Sequence, residues 1–276
     1  MAESGSGGFI RYEVSDRVAS ITVDRPRYRN AQSRILLEEL DDAFAEAGSD
    51  PDVHVVCLFG AGDHFSAGHD LGTPEELADQ QARPWRGGIR GWYERTYEQF
   101  YANTKRWRDV PKPTVAAVQG YCIFGGWMIA SAMDVIFASP DAMFLGSHTQ
   151  YFSMPWEMSP RKVKELLFES RFIDAAEAEA LGFVNRVIPR DELEAETLAW
   201  AARVAQNDPF QLRMTKLAVN NAEEAQGFTA HTQAAHAMYV LARLGEKDPD
   251  SMVPEAGGRQ RPMAAVALEN YRRHRG

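Results

Sequence analysis

Two glycine-rich turns contain the residue types in this sequence that could do chemistry. They are "GAGDHFSAGHDL", residues 60–71, and "QGYCIFGGWM", residues 119–128, and each follows an apolar run. Glycine lets a ligand oxygen approach the main chain closely, and a helix that begins near Gly126 would add its positive N-terminal end. Two backbone N–H groups aimed at one point would form an oxyanion hole. Removing one such donor from an enzyme costs about 3–4 kcal/mol of transition-state stabilisation.

A plainer interpretation is that both turns are ordinary connections between a strand and a helix, and their spacing alone leaves this alternative open. Neither turn carries the lysine of a phosphate-binding P-loop or the G-x-G-x-x-G pattern of a dinucleotide site. The sequence therefore disfavours nucleotide hydrolysis and hydride transfer.

The segments around these turns predict an α/β fold. Short runs of β-branched and aromatic residues, "FIRYEV" and "VASITVD", predict paired strands. Apolar residues at helical spacing from Ala31 to about Gly48 predict an amphipathic helix, and "VHVVCLFG" predicts a buried strand after it. This order implies a parallel crossover, and it returns in "TVAAVQG", a helix over 126–133 and "VIFAS". Both glycine turns thus leave the carboxyl ends of strands, where ligands gather in such sheets.

The chain after Ser159 is predicted to be mostly helical. Asp174 has the position of a helix N-cap, with Glu177 three residues later and Gly182 as the stop, and a strand-like "NRVIP" follows. The remaining helical patterns are predicted, with a loop before the last of them, over 192–206, 209–244 and 263–274.

Length and composition predict a globular chain that forms one large domain or two small ones. The 276 residues are 45% hydrophobic and 25% charged, and the net charge of −9 disfavours a nucleic-acid or anionic-membrane surface. No apolar stretch approaches the roughly 18 residues of a membrane span, and no signal-peptide pattern is present. Cys57 and Cys122 stand in apolar contexts that predict buried free thiols rather than metal ligands or a disulfide. We therefore expect a cytoplasmic location.

Five motifs in this order resemble the enoyl-CoA hydratase/isomerase family, the crotonases. They are "DRPRYRNA", "FSAGHDL", "KPTVAAVQGYCIFGG", "MDVIFAS" and "RFIDAAEAEALGFVNRVIP", and the resemblance covers roughly residues 10–220. It implies a crotonase-like core of stacked ββα units with a C-terminal helical trimerisation region, assembled as a trimer or a dimer of trimers. With it we expect a flexible start over 1–8, a core domain over 9–200 and a helical region over 201–276.

The resemblance also implies site residues. The oxyanion donors would be the main-chain amides of His69 and Gly125, which leaves the His69 side chain unexplained. Coenzyme A would enter as part of the acyl-CoA substrate, with no permanently bound cofactor and no metal. Its expected contacts lie in the first two motifs, at Arg27, Arg29, Ala31, Ser66, Ala67, Gly68, Asp70 and Leu71. The run from Arg25 to Arg29 would supply a local cationic patch for its phosphates.

The chain departs from the family where protons are moved. Hydratases that resemble it carry a glutamate three residues after the oxyanion glycine, and Met128 stands there. A thioether neither gives nor accepts a proton. The second family glutamate corresponds to His148 in an ungapped comparison, and Glu157 is the next carboxylate. Either could carry a proton, although His148 could equally be a loop residue.

Other polar and aromatic residues favour structural roles. Asp70 is more typical of a turn-fixing residue than of a base, and Tyr93, Glu94 and Tyr97 favour packing over lining an acyl pocket. His231 and His236 lie on a helical pattern and favour packing or solvation.

Three functions stay open at this point. The first is hydration of a 2-enoyl-CoA with a thioester enolate held by two amides. The second is C–C hydrolysis, decarboxylation or isomerisation of a bulkier acyl-CoA, which the aromatic residues between Trp85 and Trp107 would suit. The third is acyl-CoA binding without catalysis.

Overall fold

A computed structural model describes residues 8–146, 149–244 and 263–276. The predicted flexible start therefore lies outside the described residues except for Gly8. The first two strands, β1 (Ile10–Ser15) and β2 (Val18–Val23), form an antiparallel hairpin. Its two turn residues, Asp16 and Arg17, both have positive φ, which matches the twist of a tight hairpin.

The main sheet has six strands in the order β1-β2-β3-β4-β6-β9. Its further members are β3 (Val55–Gly60), β4 (Thr114–Val118), β6 (Val135–Ala138) and β9 (Arg186–Val187). Every pair from β2 onward is parallel, which confirms the predicted crossovers. All five residues of β4 are buried, as expected of a strand covered on both faces.

A second, three-stranded sheet has the order β5-β7-β8. Its strands are β5 (Tyr121–Ile123), β7 (Met143–Leu145) and β8 (Ile173–Asp174). The strand β5 lies inside the second glycine turn, where the sequence predicted a turn and no strand.

Helices fill the connections between strands. The first, α1 (Arg34–Ser49), begins at the N-cap Ser33, whose side chain accepts from the amide of Leu36. The next, α2 (Pro74–Ala82), precedes a longer helical run. That run comprises α3 (Gly88–Thr96), a π-helical segment (Tyr97–Ala102) and α4 (Asn103–Arg108). The helix predicted over 126–133 is α5 (Gly125–Ser131).

The chain after Ser159 is mostly helical, as predicted. Two helices precede β9 here, α7 (Pro160–Glu169) and α8 (Ala175–Ala180), and the short α6 (Met154–Glu157) comes before them. Asp174 caps α8 through the amide of Glu177, and Gly182 follows with φ of +85°, so both end signals are confirmed.

The prediction of one helical segment over 209–244 is wrong in one respect. It forms two helices, α10 (Pro209–Ala225) and α11 (Phe228–Leu244), which Gly227 separates with a φ of +101°. Only glycine adopts that backbone conformation without a steric penalty. The flanking helices are α9 (Leu193–Val204) and α12 (Met263–Arg275), and the loop predicted between α11 and α12 lies outside the described residues.

The sheet and helices enclose a mixed α/β core. Ala201 and Ala205 pack with Val55, Val115 and other strand residues, so the predicted boundary at residue 200 falls within α9. Cys57 and Cys122 are buried free thiols, as expected.

Candidate active site between the two glycine turns

The two glycine turns lie side by side. Ser66 forms a parallel bridge with Cys122: its amide donates to the Tyr121 carbonyl at 2.9 Å, and its carbonyl accepts from the Ile123 amide at 3.0 Å. A Cβ atom added at Gly68 would lie 2.6 Å from the Ile123 carbonyl oxygen and 3.3 Å from the Gly125 nitrogen. The turns thus approach so closely that a side chain at residue 68 has no room.

The amides of His69 and Gly125 are both left out of the surrounding backbone pairing. In the bridge between Gln32 and His69, the Gln32 amide donates to the Gly68 carbonyl at 2.8 Å and the Asp70 amide donates to the Gln32 carbonyl at 3.0 Å. Because these bonds use the neighbours of His69, its own N–H points away from Gln32. Gly125 is the first residue of α5, where an amide has no carbonyl one turn earlier.

Phe124 holds the chain in a strained conformation just before Gly125. Its φ of 45° and ψ of −101° lie outside the regions that ordinary residues adopt. Its amide donates to the Leu145 carbonyl at 3.0 Å, so the second sheet fixes the turn. Strain of this kind costs about 1–3 kcal/mol and is concentrated at functional sites.

The imidazole of His69 is enclosed beside Gly125. It stacks on Phe100 of the π-helical segment with ring centroids 3.7 Å apart, and its Nε2 lies 2.7 Å from Oε1 of Gln150. A Cβ atom added at Gly125 would lie 2.8 Å from Nδ1 of His69. Burial lowers the pKa of His69 to about 4. The hydrogen bond with Gln150 acts to raise this pKa, and the positive charge of Arg95 acts to lower it further. The imidazole is therefore neutral at pH 7.

The predicted cationic patch is smaller than the sequence suggested. Arg27 and Arg29 are exposed, but Arg25 is buried in an ion pair with Asp70, their NH1 and Oδ2 atoms 2.6 Å apart. Arg25 also donates to the Ala31 carbonyl and to the Thr73 hydroxyl. The prediction that Arg25 belongs to a surface patch is wrong, because its guanidinium joins two loops inside the protein.

The other predicted coenzyme A contacts mostly build the loop. The Ser66 hydroxyl donates to the Asn30 carbonyl at 2.8 Å and accepts from Gln32 and from the Gly68 amide, and the Ala67 amide donates to the Arg29 carbonyl. The following residues differ in exposure. Asp70 binds Arg25, the Thr73 hydroxyl and the amides of Gly72 and Thr73, so its side chain fixes the turn as the sequence favoured, whereas Leu71 is 93% exposed.

Among the predicted proton carriers, His148 lies outside the described residues. Met128 is 2% exposed and belongs to the main hydrophobic core. Three residues along a helix bring a side chain back to within about 60° of the first residue, so Met128 projects from the same side of α5 as Gly125. That side of the helix therefore carries a thioether.

Glu157 is an acid at the end of α6. Burial raises its pKa from 4.5 to about 7, against the opposing effects of Ser153 and Trp127, while Glu223 adds to the rise. Its Oε2 is enclosed, and the Ser153 hydroxyl and the Trp127 indole nitrogen, which are enclosed too, lie close enough to favour its ionised form. Trp127 is two residues after Gly125, about 200° around the helix, so its indole and Glu157 lie on the other side of α5.

The side chains of His231, His236, Tyr93 and Tyr97 make packing contacts. His236 is fully buried, with Nε2 2.9 Å from the Thr96 hydroxyl and with Tyr93 and Tyr97 against its ring. His231 accepts a hydrogen bond from the Trp156 indole at 3.0 Å. The packing interpretation of these side chains agrees with these contacts.

Sequence reasoning missed Gln32, Phe100 and Gln150. All three surround His69, and none belongs to a residue type that indicates catalysis. The available signal for Gln150 is its position in the segment after β7, where the family resemblance implies a second proton-handling residue.

Comparisons with known proteins agree on one family. A family model described as enoyl-CoA hydratase/isomerase matches residues 13–244. A Mycobacterium tuberculosis protein, named a "putative enoyl-CoA hydratase", is 40% identical in an alignment of 261 residues that covers 86% of this chain and 82% of that protein.

Solved structures give the same result. A probable enoyl-CoA hydratase from Mycobacterium thermoresistibile is 41% identical, with a TM-score of 0.78 over 85% of this chain and 96% of that one. An enoyl-CoA hydratase/isomerase from Xanthobacter autotrophicus Py2 is 34% identical, with a TM-score of 0.79 over 89% and 90%. These structures confirm the predicted fold class.

None of the helices in 8–146, 149–244 and 263–276 is long and apolar enough to cross a membrane. Within the same residues, no three or more His, Cys, Asp or Glu side chains are grouped as metal ligands.

Proposed function

Because the chain belongs to the enoyl-CoA hydratase/isomerase family, we propose that it hydrates a 2-enoyl-CoA thioester. The amides of His69 and Gly125 would bind the thioester oxygen as negative charge forms on it. The observation that carries this proposal is the close pairing of the two glycine turns, in which neither amide takes part in the backbone ladder. The turns are so close that a Cβ atom at Gly68 would lie 3.3 Å from the Gly125 nitrogen.

Coenzyme A is proposed to enter as part of the substrate. Arg27 and Arg29 are exposed cations on a protein of net charge −9, and the guanidinium groups suit phosphate oxygens. With Arg25 neutralised by Asp70, the proposed contacts are these two arginines, Ala31 and the segment from Ser66 to Leu71.

Hydration also needs groups that move protons. His148 and Glu157 are the proposed candidates from the sequence. A pKa of about 7 suits an acid that gives and regains a proton near neutrality. The position of Glu157 across α5 from Gly125 places its carboxyl away from the proposed amides.

A second candidate function follows from Met128. Its thioether is on the Gly125 side of α5, where it cannot hold or activate water. A chain with the oxyanion amides and without this carboxylate fits an acyl-CoA isomerase, hydrolase or decarboxylase, or a protein that only binds acyl-CoA.

We further propose a cytoplasmic homotrimer or dimer of trimers. Phe210, Met214 and Leu217 are spaced along one side of α10 and are 66%, 39% and 38% exposed in the isolated chain. Covering them by another copy would bury this apolar strip. Light scattering of the purified protein measures the assembly directly.

The decisive experiment compares Gly125→Ala with Gly48→Ala. A Cβ at residue 125 would meet the Gln32 amide oxygen and the His69 ring, whereas one at residue 48 makes ordinary contacts of 3.7 Å with Pro111 and Val110. We expect Gly125→Ala to lower kcat/KM for hydration of 2-enoyl-CoA by about 10²–10³-fold. The rate of hydration is measured from the loss of the enoyl-thioester absorbance.

Gly48→Ala should keep wild-type rates. If the wild type binds acyl-CoA in calorimetry but turns over no ester, the binding function replaces the enzymatic one. If Gly125→Ala hydrates the ester as fast as the wild type, the proposed oxyanion site is wrong.

A further inference from the structure

The side chain of His69 is built into the proposed site, although the function above uses only its main-chain amide. The ring lies between Phe100, with centroids 3.7 Å apart, and Gly125, whose Cβ position would be 2.7 Å from Cε1 and 2.8 Å from Nδ1. The ring therefore fills the space beside the α-carbon of Gly125, the residue whose amide is proposed to bind the thioester oxygen.

Gln150 determines which ring nitrogen carries the proton. Its Oε1 lies 2.7 Å from Nε2 of His69, and a carbonyl oxygen can only accept a hydrogen bond. Nε2 must therefore carry the hydrogen, and Nδ1 presents its lone pair. Nδ1 is enclosed and has no hydrogen-bond partner within the residues that the structure describes. A buried acceptor left unpaired costs about 1–3 kcal/mol, so its retention calls for an explanation.

The surroundings of the ring keep it uncharged. Gln150, Gln32 and Phe100 are neutral, and the charged group whose field reaches His69 is Arg95 on α3, which opposes a second positive charge. The lone pair on Nδ1 is consequently available throughout the neutral pH range.

We infer that Nδ1 of His69 takes the proton from C2 of the bound acyl group, in place of the carboxylate that Met128 does not supply. In this step the C2–H bond breaks and an N–H bond forms on Nδ1. The electron pair of the C2–H bond becomes the C1–C2 double bond, and the negative charge moves to the thioester oxygen, between the two amides. The neutral imidazole becomes an imidazolium, and the reverse step returns the proton to C2.

This inference rests on the proposed function, because the two amides must hold the thioester for C2 to reach His69. The test uses butyryl-CoA, a saturated ester that has no double bond to hydrate. Exchange of its C2 hydrogens in D₂O is followed by proton NMR, and its binding is measured by calorimetry.

The variants are His69→Asn, His69→Gln and, as a control, His236→Asn. Both His69 variants keep the main-chain amide and lose the basic nitrogen. His236 is a matched control because it is also a buried imidazole whose Nε2 is held by a neighbouring oxygen and whose Nδ1 has no hydrogen-bond partner among the described residues. It lies in the cluster of Tyr93 and Tyr97 instead.

We expect both His69 variants to exchange the C2 hydrogens about 10²–10⁴-fold more slowly than the wild type while binding butyryl-CoA within a few-fold. His236→Asn should exchange at the wild-type rate. Gln150→Glu should raise the pH below which exchange declines, because a carboxylate beside Nε2 favours the imidazolium.

The inference is overturned if the His69 variants exchange at the wild-type rate, or if the wild type binds butyryl-CoA and exchanges nothing. The latter result leaves hydration by other residues intact. Absence of any acyl-CoA binding would overturn the proposed function together with this inference.

Discussion

The buried carboxyl of Glu157 makes a quantitative prediction about stability. Its pKa is raised from 4.5 to about 7 in the folded protein, mainly by burial, so folding favours the protonated form. Below pH 4.5 the group is protonated in both states and costs nothing. As pH rises from 4.5 through 7, the unfolded chain loses this proton first, and the free energy of unfolding falls.

The size of the effect follows from the two values. At 1.36 kcal/mol for each pH unit between 4.5 and about 7, ionisation of Glu157 removes about 3 kcal/mol of stability above pH 7. Glu157→Gln replaces the acid by a neutral amide of the same shape. It should therefore be nearly neutral at pH 4.5 and should stabilise the protein by up to about 3 kcal/mol at pH 8.5.

Urea unfolding at both pH values, at one fixed protein concentration, measures this difference. Glu196→Gln is the control, because Glu196 is an exposed carboxylate on α9. The stability of the Glu196→Gln variant relative to the wild type should not change with pH. If Glu157→Gln follows the same pH dependence as the wild type, Glu157 is not held in a desolvated site, and its proposed role as a proton donor near neutrality fails with it.

Two further predictions concern Arg25 and Arg27, in the loop that follows β2. Arg25→Met should destabilise the protein by about 3–5 kcal/mol in urea unfolding, because it leaves the Asp70 carboxylate buried without its partner. Arg11→Met is the control: it breaks the exposed Arg11–Asp24 pair and should cost less than about 1 kcal/mol. Equal losses of stability in the two variants would contradict this account. Arg27→Ala should raise KM for an acyl-CoA up to about fivefold with kcat unchanged, since an exposed cation contributes about 1 kcal/mol or less. Arg203→Ala, which removes an exposed arginine from α9, is the comparison for that measurement, and an equal KM in both variants would remove Arg27 from the proposed coenzyme A site.

The amino-acid sequence by itself determined the local elements of this protein. Alternating and helical apolar patterns placed β1 to β4 and α1, and Asp174, Glu177 and Gly182 marked the two ends of α8. These features depend on residues within one or two turns of each other, so periodicity and capping preferences are enough to find them. The Gly227 break had a local signal too, but a continuous helical pattern on both sides obscured it.

The tertiary structure decided which loops meet and which charges are buried. Arg25 and Asp70 are 45 residues apart and follow neighbouring strands of the main sheet, β2 and β3. His69 and Gln150 are 81 residues apart and follow strands of different sheets, β3 and β7, so only the packing of the two sheets joins them. Desolvation then made Arg25 a structural cation and left the His69 imidazole neutral. Burial and long-range contact depend on how whole elements pack, and the identity of a residue does not contain that information.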